Sequence, residues 1–107
     1  MRGAILEYET DELPHVTEAQ FQEVVIEAAG YLGWRIYHTW LAKRSPAGFP
    51  DLVLARPPRV IFAEIKSATG KLRPEQDAWG ELLRACPGVE YAVWRPAIWD
   101  AIVEVLR

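Results

Sequence analysis

The sequence predicts an α/β fold in which one mixed β-sheet is flanked by helices. Apolar residues recur at helical spacing in some segments and at strand spacing in others, and these segments follow the order α-β-β-β-α-β-α. The length of 107 residues leaves room for one domain. We assign this domain to residues 17–107 and expect residues 1–16 to form an N-terminal arm, because they lack a clear period.

The first predicted helix begins after the N-cap residue Thr17, continues to Leu32 and ends at Gly33. Its apolar residues lie three or four positions apart, which predicts a single buried face. We expect that face to consist of Phe21, Val25, Ala28 and Leu32.

Three strands are predicted next, at residues 34–39, 51–55 and 60–66. A loop at residues 40–49 separates the first strand from the second. The turn Arg56-Pro57-Pro58-Arg59 joins the second strand to the third, and its shortness predicts an antiparallel hairpin.

The remaining segments predict a helix, a strand and a helix. Pro74 is a favourable first residue for a helix that continues to about Cys86. Residues 89–95 form the fourth strand, which we expect to lie parallel to the third because a helix connects the two. The last helix is predicted from about Pro96 to Leu106. Its expected inward face is Ile98, Ile102, Val105 and Leu106.

The composition is that of a folded domain, because half of the residues are hydrophobic and a quarter are charged. Cys86 is the only cysteine, which excludes an intrachain disulfide and indicates a reducing compartment; we expect it to be a small core residue. No signal peptide and no membrane span is predicted, so we expect a cytoplasmic protein. The five tryptophans are many for this length, and an exposed one would suit a partner interface.

The charge is distributed unevenly, although the net charge is only −3. Residues 35–73 contain eight basic side chains and two acidic ones, Asp51 and Glu64, while acids predominate on both flanks. A basic zone that encloses two carboxylates suits a polyanion and a metal ion, although a solvated loop-rich surface would give the same pattern.

The two enclosed carboxylates are expected to meet at one end of the sheet. Asp51 begins the second strand and Glu64 lies near the end of the third, so an antiparallel hairpin brings them together. Alternation along the third strand directs Glu64 and Lys66 to the same face. Paired carboxylates favour Mg²⁺ or Mn²⁺, which would activate a water against a phosphate, while Lys66 would orient that water or stabilise the transition state. A surface ion pair between Glu64 and Lys66 is the alternative.

Helix geometry predicts that Glu18 is a third carboxylate of this site. At about 100° per residue, Glu18 lies about 20° from Val25, in line with the buried face, whereas Glu23 and Glu27 point away from it. We therefore expect Glu18 to be a metal ligand, and Glu23 and Glu27 to face solvent.

The chain resembles the VRR-NUC family, a branch of the PD-(D/E)XK nuclease superfamily. The resemblance extends from about Thr17 to Leu106. It is carried by segments Thr17-Glu18-x-x-Phe21-Gln22, Gly33-Trp34, Tyr37-His38, Ser45-x-x-Gly48-Phe49-Pro50-Asp51, Phe62-Ala63-Glu64-Ile65-Lys66, Gly70-Lys71-Leu72-x-Pro74-Glu75-Gln76 and Val93-Trp94-Arg95-Pro96. Arg73 departs from the family, whose members tend to have a serine or threonine there as a helix cap.

The resemblance implies a restriction-endonuclease-like αβββαβ core and Mg²⁺- or Mn²⁺-dependent cleavage of DNA, often at branched structures such as Holliday junctions. It also implies a homodimer, as expected for short stand-alone members. We expect Asp51, Glu64, Lys66 and Gln76 to be catalytic. The expected metal ligands are Glu18, Asp51, Glu64 and the backbone carbonyl of Ile65, and the expected DNA contacts are Lys43, Arg44, Lys71 and Arg73.

Two residue roles and three functions stay open at this point. Gln76 is either a contact of Lys66 or a phosphate, or a solvated amide in a helical first turn. His38 is either a metal or phosphate contact, or structural. The whole domain is alternatively a non-catalytic module that binds DNA structures, the nuclease subunit of a larger repair or restriction assembly, or an RNA nuclease.

Overall fold

A computed structural model of the protein describes residues 15–40 and 45–107, and it has the predicted α/β architecture. Within these residues a four-stranded sheet is accompanied by three α-helices, and a 3-10 turn at Pro96–Ile98 precedes the last of them. The elements are α1 (Glu18–Tyr31), β1 (Arg35–His38), β2 (Leu52–Arg56), β3 (Arg59–Ile65), α2 (Pro74–Arg84), β4 (Glu90–Trp94) and α3 (Trp99–Leu106). Residues 1–14 of the predicted arm lie outside the described part of the chain, so the boundary of the domain stays a prediction.

The sheet has the order β1-β2-β3-β4 and is mixed. β1 and β2 are antiparallel, as are β2 and β3, in which Leu52 lies opposite Ala63. β3 and β4 are parallel, with Ile65 opposite Trp94. Both the predicted hairpin and the predicted parallel fourth strand are therefore confirmed.

One face of the sheet carries the main hydrophobic core. Alternate residues of β2 and β3 point into it and are almost completely buried, and α1 and α3 supply the side chains that cover them. Phe21 of α1 meets Trp99 of α3 edge to face, with ring centroids 6.3 Å apart. The sheet residues of this core are Leu52, Leu54, Ile61, Ala63 and Ile65.

Two predicted helix faces need correction. In α1 the fully buried residues are Phe21, Val25, Ala28 and Ala29, whereas Leu32, the C-cap residue before Gly33, is only half-buried and packs against the same core. In α3 the inward face is Trp99, Ile102, Val103 and Leu106, whereas Ile98 and Val105 are exposed. Ile98 belongs to the 3-10 turn, whose tighter winding changes the phase of the helix that follows.

The end of the sheet opposite Asp51 is held to the C-terminus by aromatic and basic side chains. The indole nitrogen of Trp34 donates to the Leu106 carbonyl at 2.8 Å. Arg56 lies over the Trp34 ring and donates to the carbonyls of Leu32 and Leu106. Arg59 covers the same ring and pairs with Glu90 at 2.7 Å. These contacts close the end of the domain that lies far from the candidate site.

The second face of the sheet is covered by α2. Gly80 of α2 lies so close to Tyr91 of β4 that a Cβ atom there would approach the phenol ring to 2.8 Å. Phe49 packs edge to face on Phe62 and Trp79, with centroids 6.0 and 5.0 Å away.

Cys86, after α2, is exposed, so the prediction of a core cysteine was wrong: α2 ends at Arg84, and residues 85–88 turn through solvent. In the part of the chain that the structure describes, no helix has the length and apolar character needed to cross a membrane.

Candidate active site

The β2–β3 hairpin brings Asp51 and Glu64 together, as predicted. Asp51 directly precedes β2, and the register that pairs Leu52 with Ala63 puts Glu64 across from it. Oδ2 of Asp51 accepts a hydrogen bond of 2.8 Å from the Ile65 backbone N–H. This bond fixes the Asp51 carboxylate at the end of β3, next to the second carboxylate.

The two oxygens of Glu64 have different surroundings. The residue is 1% exposed. Oε2 accepts a hydrogen bond of 2.8 Å from Nε2 of Gln76 and lies 4.0 Å from Nζ of Lys66. Oε1 is equally buried but has no hydrogen-bond partner among the described residues. Since a buried carboxylate oxygen without a partner is costly, Oε1 has the chemistry expected of an atom that binds a cation.

The pKa of Glu64 is raised to about 8, mainly by burial. The neighbouring Asp51 carboxylate is the next cause, first because two negative charges so close together are unfavourable, and then because protonated Glu64 can donate a hydrogen bond to it. The positive charge of Lys66 acts in the opposite direction, and Glu18 adds a smaller increase. A divalent cation between the two carboxylates would reverse this balance and favour the ionised form.

Gln76 is held in one orientation by two hydrogen bonds. Its Oε1 accepts from the Arg73 backbone N–H at 2.8 Å, so its Nε2 must face Glu64. Pro74 starts α2, which puts Gln76 in the first turn with its side chain buried. The structure thus joins Gln76 to Glu64 rather than to Lys66, the protein contact that we expected.

A glycine allows the loop before Asp51 to pack on the start of α2. Gly48 has φ of 92°, and a Cβ atom there would lie 2.5 Å from the backbone carbonyl carbon and oxygen of Glu75. Such a distance is impossible without displacing one of the two segments. The loop that leads to Asp51 and the turn that carries Gln76 are therefore positioned against each other by this close approach.

A cleft of about 770 Å³ opens beside Asp51. Asp51 and Gln76 lie on its border, and Arg73 contributes a positive charge. Most of its remaining wall is aromatic or small, made of Tyr37, Thr39, Trp40, Ser45, Pro46, Ala47, Gly48, Phe49 and Trp79.

The expected DNA contacts are only partly described by the structure. Lys71 and Arg73 are exposed in and after the loop that follows β3, and Arg73 lines the cleft. Lys43 and Arg44 lie outside the described residues. The basic zone inferred from the sequence is not one surface, because Arg56 and Arg59 are at the opposite end of the sheet. Arg95 also has a structural contact, since it donates to the carbonyls of Ser67 and Gly70 and so holds the loop after Lys66.

Glu18 is close enough to influence Glu64, but the structure does not bury it. Its side chain is exposed in the first turn of α1, as are those of Glu23 and Glu27 further along. Among residues 15–40 and 45–107, no group of three or more acidic, histidine or cysteine side chains is arranged as a metal site. The contact of Ile65 with the site is through its N–H. The ligand roles of Glu18 and of the Ile65 carbonyl stay predictions.

His38 lies beside the cleft in a defined environment. Its Nε2 is 2.8 Å from Nε2 of Gln22, and its ring stacks at a tilt of 36° on Trp40, with centroids 4.6 Å apart. The sequence reasoning did not identify Gln22, Tyr37 or Trp40 as site residues. Gln22 and Tyr37 stand in segments that carry the family resemblance, and the surplus of tryptophans was the signal for Trp40, but no role in the site was predicted for any of the three.

Comparison with solved structures gives the same architecture. A structure described as "VRR_NUC domain" matches with a TM-score of 0.66 and 25% identity, covering 83% of this chain and 97% of that one. Another, described as "VRR_NUC domain protein", matches with a TM-score of 0.65 and 24% identity, covering 85% of each chain. No family model and no curated protein matches the sequence.

Proposed function

We propose that this chain, which has the VRR-NUC fold of a nuclease-type domain, is a divalent-metal-dependent endonuclease that hydrolyses phosphodiester bonds in DNA. The observation that carries the proposal is the pair of carboxylates at the end of the β2–β3 hairpin. Asp51 and Glu64 adjoin each other, and the buried Oε1 of Glu64 has no hydrogen-bond partner among the described residues. A simple structural ion pair with Lys66 would leave this oxygen unexplained.

The residues present fit Mg²⁺ or Mn²⁺, which prefer oxygen ligands. Asp51 and Glu64 would hold the ion, with Glu18 and the Ile65 carbonyl as further proposed ligands. When bound, the ion would supply Lewis acidity and lower the pKa of a coordinated water.

Lys66 and Gln76 have supporting roles in this proposal. Lys66 is 8% exposed and its ammonium group lies 4.0 Å from Glu64. From there it would donate to the attacked phosphate and stabilise the negative charge that develops on it. Gln76 keeps Oε2 of Glu64 occupied, which would leave Oε1 for the metal ion. Lys71 and Arg73, with Lys43 and Arg44, would bind phosphates and orient the DNA.

The finer proposal is that the protein is a homodimer that prefers branched DNA. It rests on the family resemblance, and a two-fold axis relating two active sites would match a junction with paired arms. Sedimentation at micromolar concentration checks the oligomeric state.

The test is cleavage of labelled four-way, flap and linear DNA with Mg²⁺, Mn²⁺ or EDTA. We expect cleavage only with a divalent ion and fastest on a branched substrate. Asp51→Asn keeps the side-chain volume and an acceptor for Ile65 but removes the charge, so the rate should fall at least ~100-fold with folding retained.

Asp100→Asn is the matched control, because Asp100 is an exposed aspartate in the first turn of α3. It should cleave as the wild type does. Cleavage that persists in EDTA or in Asp51→Asn contradicts the metal mechanism. Binding of branched DNA without any cleavage favours the non-catalytic module, and cleavage of RNA instead of DNA favours the ribonuclease.

A further inference from the structure

We propose that the cleft beside Asp51 binds an unpaired base of the DNA, stacked on Trp40 and Tyr37, next to the phosphate that is cleaved. This inference takes its substrate, DNA, from the proposed function and adds a specific feature of it. The base would be flipped, frayed or single-stranded, because a base inside a duplex already has neighbours on both of its faces.

The exposure of the two aromatic side chains is the first observation. Trp40 is 75% exposed and Tyr37 is 62% exposed, more than any other large hydrophobic side chain in the described part of the protein. Both line the cleft that Asp51 borders. Aromatic rings left open to water beside a candidate active site are typical of stacking surfaces for nucleobases.

The second observation is that Trp40 is supported rather than free. Gln22 contacts the imidazole of His38 at 2.8 Å, and that ring stacks against the indole of Trp40. These contacts lower the number of orientations open to the indole, so less entropy is lost when a base binds. His38 is thereby assigned as a positioning residue for Trp40.

The third observation connects the aromatic pair to the carboxylates. Thr39, which lies between Tyr37 and Trp40, donates its backbone N–H to the Asp51 carbonyl at 2.8 Å. Its hydroxyl donates to the Pro50 carbonyl at 2.9 Å. The stacking surface and the candidate metal ligand therefore belong to one hydrogen-bonded unit, in which a base and its adjacent phosphate would be bound together.

The chemistry of the cleft wall favours a base over other occupants. Its wall is mainly aromatic and small, which suits the face of a nucleobase, and Arg73 provides a cation for the attached phosphate. A second copy of this chain or an apolar peptide would bury the same rings, but would gain nothing from the neighbouring carboxylates that are proposed to hold a cation.

The test measures binding of the full chain to DNA in EDTA, where the proposed cleavage cannot occur. Two probes contain the same duplex, one with blunt ends and one with a single-stranded tail carrying 2-aminopurine next to the duplex. Trp40→Ala should weaken binding of the tailed probe by roughly tenfold or more, the scale of losing one stacked base. Binding of the blunt probe should change less than about twofold on the same scale.

Matched variants distinguish stacking of a base on an aromatic ring from contact with any apolar side chain. Trp40→Phe keeps a ring and should retain most of the affinity, whereas Trp40→Leu should lose it. His38→Ala should reduce the quenching, and His38→Phe should restore it by replacing the supporting ring. Leu82→Ala, at a 58% exposed site outside the cleft wall, should bind both probes as the wild type does.

Equal binding of the tailed probe by wild type, Trp40→Ala and Trp40→Leu overturns the inference, as does an equal loss for both probes. A change in oligomeric state in Trp40→Ala without selective loss of tailed-probe binding also overturns it and assigns the rings to a protein interface. The proposed function is judged separately by cleavage with metal: selective binding without cleavage would contradict that proposal and leave the stacking site standing.

Discussion

Glu64 illustrates how a strand can carry an ionisable group inside a folded domain. Its neighbours Ala63 and Ile65 point into the main core, while Glu64 faces α2. Gln76 of α2 and Lys66, which follows β3, both contact Oε2 of Glu64 and leave Oε1 without a hydrogen-bond partner among the described residues. Its pKa of about 8 means that the carboxyl group in the folded, metal-free protein holds its proton at neutral pH. The cost of ionising it is therefore a property of the folded state that can be measured without any substrate.

The first prediction is that stability in EDTA falls as the pH rises. The unfolded chain releases the Glu64 proton near the usual glutamate pKa of about 4.3, whereas the folded protein holds it up to about 8. The folded state binds more protons between these values, so the free energy of unfolding should decrease with pH there, by at most about 1.4 kcal/mol per pH unit. Urea unfolding at pH 5, 6, 7 and 8 measures this slope.

Glu64→Gln should flatten the slope, because it removes the titrating group and keeps a side chain of similar shape. At pH 8 this variant should be more stable than the wild type in EDTA. Glu81→Gln, an exposed position in α2, is the control and should retain the wild-type slope. A wild-type stability that rises through the same pH range would disprove the raised pKa.

At the scale of single residues, the sequence predicted the position of the two carboxylates better than it predicted the contacts of the side chains around them. The adjacency of Asp51 and Glu64 follows from strand alternation and one hairpin, which are short-range rules. The partner of Gln76 depends on how α2 is oriented on the sheet, and the role of Trp40 depends on His38 and Gln22 from separate elements. Such tertiary contacts have no periodic signal in the sequence.

Among the elements, the loop that leads into β2 is the one most constrained by a neighbour. Its Gly48 both adopts a positive φ and touches the backbone of Glu75 at the start of α2. The sequence analysis included this glycine in a segment of the family resemblance. The need for a glycine there, however, depends on its contact with α2, which the sequence does not reveal.

The second prediction compares two glycines with nearly equal φ. Gly48→Ala adds a clash with backbone to the strain of a positive φ, and should cost roughly 2–4 kcal/mol of stability. Gly88→Ala has φ of 87° but no atom within 4 Å of its added Cβ, so it should cost only about 1 kcal/mol. Denaturant unfolding of both variants measures the difference. Equal losses would mean that the packing of the loop on α2 is not tight.

The elements were predicted with the correct type and order, but the phase of the last helix was not. Regular spacing predicts which residues share a helix face only if the helix has one pitch throughout. The 3-10 turn at Pro96–Ile98 breaks that condition for Ile98, which is exposed. Within α3 the pitch is regular, and at about 100° per residue Val105 lies about 110° from the centre of the face formed by Trp99, Ile102, Val103 and Leu106, so it points to solvent. The error at Ile98 arose from treating residues 96–106 as a single α-helix, and the error at Val105 arose from choosing the wrong centre for the apolar face.

Across the whole molecule, the two faces of the sheet have different roles. The face covered by α1 and α3 holds the continuous hydrophobic core, and the face covered by α2 holds the buried polar residues Glu64, Lys66 and Gln76. Burial of Glu64 on the second face is unfavourable, and the stability of the hydrophobic core on the first face compensates for it. A ligand that relieves this burial should therefore stabilise the entire domain.

The last prediction is that Mg²⁺ or Mn²⁺ raises the Tm of the domain, and more at pH 8 than at pH 6. A ligand that binds only the folded state at one hundred times its Kd stabilises by about 2.7 kcal/mol. Each kcal/mol corresponds to about 4–8 °C in Tm for a domain of this size. The shift should be larger at pH 8 because at pH 6 the ion must displace the proton of Glu64. Asp51→Asn should abolish it, since one charged ligand is lost.

Two glutamates of α1 test which further side chain contributes to binding of the metal ion. Glu18 raises the pKa of Glu64 through its charge, whereas no such influence is found for Glu23, which is also exposed on α1. Glu18→Gln should therefore reduce the metal-induced rise in Tm, and Glu23→Gln should leave it unchanged. If Glu23→Gln alone reduces the rise, Glu18 is wrongly assigned. If neither ion raises the Tm of the wild type at pH 8, the two carboxylates do not form a metal site, because binding to the folded state alone must shift the unfolding equilibrium.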